Sequence, residues 1–400
     1  MAYDAGEVRT SFPALAEGAA HFDGPGGSQV AAPVADAVAG MLRAAVANRG
    51  TVTSAEQRAE DAVRDARAAM ADLLGASPRG VVFGRSMTAL TFEMSRALAK
   101  TWSPGDEIVV TRLDHDANIR PWVIAAETAG ATVRWAPFDK STADLSVDEV
   151  VAFIGPRTRL VAVTAASNLF GTMPDVRAIA DAAHDAGALV FVDGVHYTAH
   201  VGVDMTALGA DFFACSPYKF CGPHLGVVAA QPALLESLKP DKLLPSINSV
   251  PERFELGTLP YELLGGVTAA VDFLAGLDPT ATGSRRERLK TSYDALEQHE
   301  SALLDRIVTG LAAIDGVTLH GRPSRRTPTV LFDVDGRQAS DVHQALAKHR
   351  VNAPAGSFYA LEASRWFGLG DTGAVRAGIA PYTDEHDVDR LLDAVATITR

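Results

Sequence analysis

The sequence predicts an α/β fold, an open and mainly parallel central sheet followed by a smaller α+β unit. Three observations carry that reading. From about residue 79, short β-rich runs alternate with alanine-rich helical patterns, the signature of repeated βα units. Several runs are nearly continuous in apolar residues, as befits strands buried on both faces. Near Asp278 the texture changes, and the polar, turn-rich stretch DPTATGSRRERLK separates two parts of the chain.

The strand candidates of the first part are residues 81–83, 107–114, 132–138, 159–168, 188–196, 211–217 and 225–231. Between them lie helical stretches such as DVRAIADAAHDAGA, which closes on a glycine stop signal. In such a sheet ligands gather outside the carboxyl ends of the strands. After Asp278 come a long helix to about Leu311, a strand in TPTVLFDVDG and a helix in SDVHQALAKH. Short strands over 351–356 and 374–381 and a closing helix in DEHDVDRLLDAVATI complete the chain. The expected division is a large α/β domain over 29–277 and a small α+β domain over 278–400, with residues 1–28 packing on the small one.

Of the 400 residues, 47% are hydrophobic and 21% charged, the balance of a soluble globular enzyme. A net charge of -13 opposes binding to nucleic acid phosphates and to anionic lipid. No apolar run reaches the roughly 18 residues that span a bilayer. The opening MAYDAGEVRTSF lacks the basic and apolar regions of a secretory signal. Cys215 and Cys221 are too few for a disulfide framework and fit a reducing compartment. The cytoplasm is the expected location.

The chemistry centres on Lys219, in ACSPYKFCGPHLG, between two strand candidates. Desolvation there lowers an amine's pKa and makes it a nucleophile toward a carbonyl. A lone lysine in a loop is by default solvated, so its context has to decide. Asp193 follows four apolar residues in LVFVDGVH, and a buried acid is costly unless it meets a cation. A protonated pyridine nitrogen is such a cation, and holding its charge makes the ring an electron sink; a turn-capping aspartate is the plainer alternative. His196 and His200 form an H-x-x-x-H pair without the glutamate of H-E-x-x-H, so no metal is expected. His196 is read as bonding a cofactor oxygen and His200 as structural. His115, in LDHDANIRPW, is read as a flat ring lying over an aromatic cofactor; Asp114-His115-Asp116 also suggests a metal or hydrolase site, but no serine stands in a G-x-S-x-G setting.

FGRSMTALTFEMSRAL reads as strand, turn and helix, with Ser86, Met87 and Thr88 at a helix N-terminus able to bind phosphate. Gly24-Pro25-Gly26-Gly27-Ser28 is glycine-rich but lacks the strand-to-helix G-x-G-x-x-G of a dinucleotide site. Asn168 ends a strand candidate, and Arg376 lies on an apolar one, where its planar fork suits a carboxylate or a structural ion pair.

VDGVH, ACSPYKFCGPHLG, ERFELGT and VRAGIAPYTDEHDVDRL, in that order, resemble the aminotransferase class V family, closest to its cysteine-desulfurase-like branch. The resemblance implies pyridoxal 5'-phosphate as cofactor, fold type I, and a homodimer with active sites at the subunit interface. By it, Lys219 resembles the Schiff-base lysine, Asp193 the partner of the pyridine nitrogen, and His115 the stacked histidine. His196 resembles the residue on the phenolic oxygen, and Thr88 and Ser216 the phosphate ligands, with Met87 assisting. Gly257-Thr258 resembles the loop reaching the neighbouring subunit's phosphate, and Asn168 with Arg376 the clamp on a substrate carboxylate.

The departures steer the expected reaction. Desulfurases carry a nucleophilic cysteine on a small-domain loop, yet VNAPAGSFYALEASRWFGLGD has none, and Ser357 stands where close relatives carry histidine. Tyr218 replaces the histidine that often precedes the lysine. The expectation is a carbon–sulfur β-lyase acting on cysteine or an S-substituted cysteine through an external aldimine. Desulfuration, transamination, epimerisation and decarboxylating deamination are rivals on the same cofactor. A cofactor-free α/β hydrolase or binding module is the rival of another class.

Overall fold

A computed structural model describes residues 3–399. In chain order the strands are β1 (Ala20–His21), β2 (Val81–Gly84), β3 (Glu107–Thr111), β4 (Thr132–Ala136), β5 (Thr158–Thr164), β6 (Leu189–Asp193) and β7 (Phe212–Cys215). They continue with β8 (Gly226–Ala230), β9 (Val317–His320), β10 (Thr329–Val334), β11 (Val351–Asn352), β12 (Ala355–Gly356) and β13 (Ala374–Gly378). Strands β2 to β8 make one seven-stranded sheet in the order β2-β8-β7-β6-β5-β3-β4. Only β8 runs antiparallel to its neighbours in that sheet. A separate antiparallel sheet has the order β12-β13-β10-β9.

The apolar runs form strands because both faces of the large sheet are covered. Val109, Val161, Val163, Val190 and Val192 face one apolar layer, while Ile108, Val110, Leu160, Ala162 and Phe191 face the other. The first layer includes residues of the helices Ser54–Leu74 and Tyr261–Leu274, the second those of Met87–Ala99 and Arg120–Ala129. Edge strand β4 lacks one cover and is correspondingly half-exposed. Helix starts obey local chemistry. Thr53 with Glu56 and Ser284 with Glu287 form capping boxes, and the first of these helices stops at Gly75 with φ +66°.

The structure corrects several strand limits. Strands β3, β5, β6 and β7 stop at Thr111, Thr164, Asp193 and Cys215, short of the apolar runs that continue to 114, 168, 196 and 217. The surplus residues are mostly buried loops, and hydrophobicity alone cannot tell a buried loop from a buried strand. The run 351–356 is two strands in two sheets: β11 pairs parallel with β1, and β12 pairs with β13. β9 had no clear sequence signal, being four half-buried residues between Gly316 and Gly321. No helix among the described residues is long and apolar enough to cross a membrane.

Candidate active site

A cavity of about 430 Å³ opens where β2, β5, β6 and β7 end. Its floor and walls carry Ser86, Met87, Thr88, His115, Asn168, Asp193, His196, Ser216 and Lys219. Arg376, from β13, and Pro354, Phe358 and Tyr359 close one side; Asp23, Pro25 and Gly26 close another. Residues from eight separated stretches of sequence thus meet at one sheet edge.

Lys219 ends a short 3-10 turn after β7, and its Nζ donates to the carbonyl of Pro25. Burial, with the Arg376 charge behind it, pulls the amine down to about 7. Asp193 is the last residue of β6 and is 6% exposed. The Val195 N–H reaches its Oδ1 at 2.9 Å, and burial raises the carboxyl to about 6. An ionised Asp193 therefore gains by meeting a cation in the cavity.

His115 accepts the Ala117 N–H on Nδ1 at 3.0 Å, which leaves its proton on Nε2. Burial lowers its pKa to about 4, so the ring is neutral. His196 Nε2 meets the hydroxyls of Thr327 and Thr329 at 2.9 and 3.0 Å. Its Nδ1 is buried with no partner, and burial holds the ring well below the usual histidine range. Ser86 caps the helix Met87–Ala99 by accepting from Ala89, leaving the Met87 and Thr88 amides at a free helix start. A Cβ at Gly226, on β8, would run into the backbone of Ser86 and Met87, so only glycine lets this turn settle on the sheet.

A flat, phosphorylated ring carrying an aldehyde and a protonated nitrogen fits these groups. The unpartnered Nδ1, the half-neutral amine, the isolated carboxylate and the helix start are complementary to its parts.

Two expected groups sit differently from the simplest reading. Asn168 spends its Nδ2 on the Phe358 carbonyl at 2.9 Å, so the atom without a partner is Oδ1, an acceptor. Arg376 is already ion-paired, through Nη2 to Asp23 at 2.6 Å. Gly257 and Thr258 are exposed and lie outside this cavity. His200 pairs with Glu300 at 2.9 Å, and no cluster of three metal-ligating residues occurs among the described residues. The hydrolase reading of 114–116 finds no support. The Asp114 carboxylate is buried against Thr111 and Asn118, and Asp116 pairs with Arg120.

The sequence reading missed Asp23, Phe358 and Tyr359. The glycine-rich run signalled a close backbone approach at this strap, but not that Asp23 would meet Arg376. For the other two, consecutive positive φ values leave no trace in residue type.

The Aminotransferase class-V family model matches residues 20–391. An uncharacterized protein of Mycobacterium tuberculosis is 35% identical, with 100% of both chains covered. A probable cysteine desulfurase of Pseudomonas aeruginosa is 31% identical over 97% of this chain and 96% of its own. The crystal structure of the cysteine desulfurase CsdA of Escherichia coli superposes with a TM-score of 0.86 at 28% identity, covering 99% of this chain and 98% of that one. With the family matched over nearly its whole length, the chain belongs to the class V aminotransferases, in their cysteine-desulfurase-like branch, and is a pyridoxal-phosphate-dependent enzyme.

Proposed function

We propose that this enzyme breaks a carbon–sulfur bond at Cβ of an α-amino acid, as a β-lyase on cysteine or an S-substituted cysteine. The observation that carries the reading is the state of its thiols. Cys215 and Cys221 are the only cysteines, both are 0% exposed, and burial pushes both thiols far up, Cys221 to about 12. Neither can act as an exposed thiolate that accepts sulfur. The sulfur then leaves directly as a thiol, and hydrolysis gives pyruvate and ammonia.

Bound pyridoxal phosphate supplies an electron sink for charge that develops at Cα. Lys219, with an amine poised near neutrality, would take the Cα proton as the Cβ–S bond breaks and hand it to the departing sulfur, which leaves as a neutral thiol. Asp193 would pair with the protonated ring nitrogen, His115 would cover the ring, and the unpartnered His196 Nδ1 would serve the phenolic oxygen. Ser86, Met87, Thr88 and Ser216 hold the phosphate, with Gly257-Thr258 contributed by the other subunit of a homodimer. Arg376, with the second N–H of Asn168 Nδ2 beside it, receives the substrate carboxylate. The same reading divides the chain at 28 and 277, and sets the enzyme in the cytoplasm on the strength of its unpaired cysteines.

The test is a spectral screen of holoenzyme with cysteine and S-methylcysteine, followed by product identification. Equal amounts of pyruvate and thiol are expected. No pyruvate at full cofactor occupancy would exclude the lyase. Alanine with sulfane sulfur, freed as sulfide only once a thiol reductant is added, would instead give desulfuration, the activity of the cysteine desulfurases this chain resembles. Lys219→Ala is expected to lose the absorbance near about 420 nm.

A further inference from the structure

The arginine set to read a carboxylate is closed in this structure, and the group that closes it is the chain's own. Arg376 is 1% exposed. Its Nη2 pairs with Asp23 Oδ1 at 2.6 Å, and its Nη1 donates to the Asn168 carbonyl at 3.0 Å. The Phe358 ring lies 3.7 Å from the guanidinium carbon, and Nε is buried without a partner. Asp23 is different, because its side chain is 46% exposed. One end of the ion pair is sealed and the other is reachable.

The backbone around Asp23 is pinned, while its side chain opens to solvent. Gly378 donates to the Phe22 carbonyl at 2.8 Å and accepts from Gly24 at 3.1 Å, pinning this strap along β13. The Ser28 N–H reaches the Tyr218 carbonyl at 3.1 Å, pinning the other end to the Lys219 turn. Within the strap, a Cβ at Gly26 would collide with the Asp23 carboxylate. Glycine at 26 is therefore what lets that carboxylate lie against Arg376.

We propose that Asp23 is an internal stand-in for the substrate carboxylate, holding Arg376 between turnovers and exchanging for the α-carboxylate of the arriving amino acid. This rests on the reading of Arg376 as the carboxylate clamp. Two carboxylates at the same guanidinium edge repel each other, so binding is an exchange and not an addition. Exchange keeps the buried guanidinium paired throughout, which avoids the cost of an unpaired buried charge. It also discriminates, since an amine without a carboxylate has nothing to put in place of Asp23. The affinity of an amino acid is then reduced by the fraction of time that Asp23 is in place.

The test uses holoenzyme and two probes, L-alanine and ethylamine, which share an amine and differ by the carboxylate. Binding is read by calorimetry, with cofactor absorbance and circular dichroism confirming folded, loaded protein. Asp23→Asn removes the competing charge, whereas Gly26→Ala keeps the charge and pushes it aside. Both are expected to tighten L-alanine by about tenfold, the factor for a site blocked about nine-tenths of the time, and to leave ethylamine unchanged. If neither variant tightens L-alanine, or only Asp23→Asn does, or ethylamine shifts equally, Asp23 is a fixed partner and the proposal falls. Arg376→Ala separates the two levels of the argument. If it leaves the preference for L-alanine over ethylamine intact, the clamp itself is wrong. If the preference collapses while the other variants do nothing, only the exchange is wrong.

Discussion

Tyr359 stacks on His115, with ring centroids 5.6 Å apart and planes 28° apart. The contact depends on an unusual backbone, because Phe358 and Tyr359 have φ of +52° and +57°. Asp116 N–H holds the Tyr359 carbonyl at 2.8 Å, and Asn168 holds that of Phe358. A non-glycine residue in this region costs about 1–2 kcal/mol. Tyr359→Gly is therefore expected to unfold later than Tyr359→Ala, by about 1 kcal/mol in denaturant titrations. Both lose the stack and are expected to turn over about two- to tenfold more slowly, the scale of an aromatic pair. Equal stability of the two variants would show that the backbone is unstrained.

The amine of Lys219 sets a pH window. Its pKa is lowered from 10.5 to about 7, by burial first and by Arg376 second. Between those values the unfolded chain binds more protons than the folded one, so cofactor-free protein gains stability as pH rises from about 7 to 10.5. Lys219→Gln is expected to flatten that rise in thermal melts across the window. Cofactor uptake followed by stopped flow should level off just above pH 7. Uptake still climbing at pH 10 would mean a solvated amine.

Glu255 holds Arg67 beneath the site. Both are buried, two bonds of 2.8 and 2.9 Å join them, and Glu255 also accepts from the N–H of Phe83 in β2, three residues before Ser86. Glu255→Gln removes the two-pronged counter-charge and leaves the buried guanidinium only Glu252, 3.2 Å from Arg67 Nη2. The expected loss is about 3–5 kcal/mol in guanidinium unfolding, the scale for breaking a buried pair. A loss under about 1 kcal/mol would place the pair among solvent-screened ones.

Thr258 is exposed in its own chain, beside Leu256, which is 55% exposed. If it serves a neighbouring subunit, Thr258→Ala should weaken cofactor binding about tenfold, one charge-assisted hydrogen bond. Light scattering should report twice the chain mass. An unchanged cofactor affinity in a dimer would remove this residue from the site.

Much of this architecture was legible because buried parallel strands leave continuous apolar runs, and because Lys219, Asp193 and His115 interrupt those runs with polar groups. Their convergence followed from sheet topology alone. What the sequence hid was contact between remote backbones. Nothing in HFDGPGG announces that Asp23 will meet Arg376, since the two are brought together by registry of a strap against β13. Likewise the division of 351–356 between two sheets depends on β1, a two-residue strand with no periodicity to detect.

The sealed thiols have a consequence for how the protein meets thiol-directed reagents. With neither sulfur within reach of iodoacetamide or peroxide, the folded enzyme should keep full turnover after treatment that silences an exposed-thiol sulfurtransferase. Turnover should then stand independent of the redox poise of its surroundings, and equal activity with and without added reductant is the expected readout.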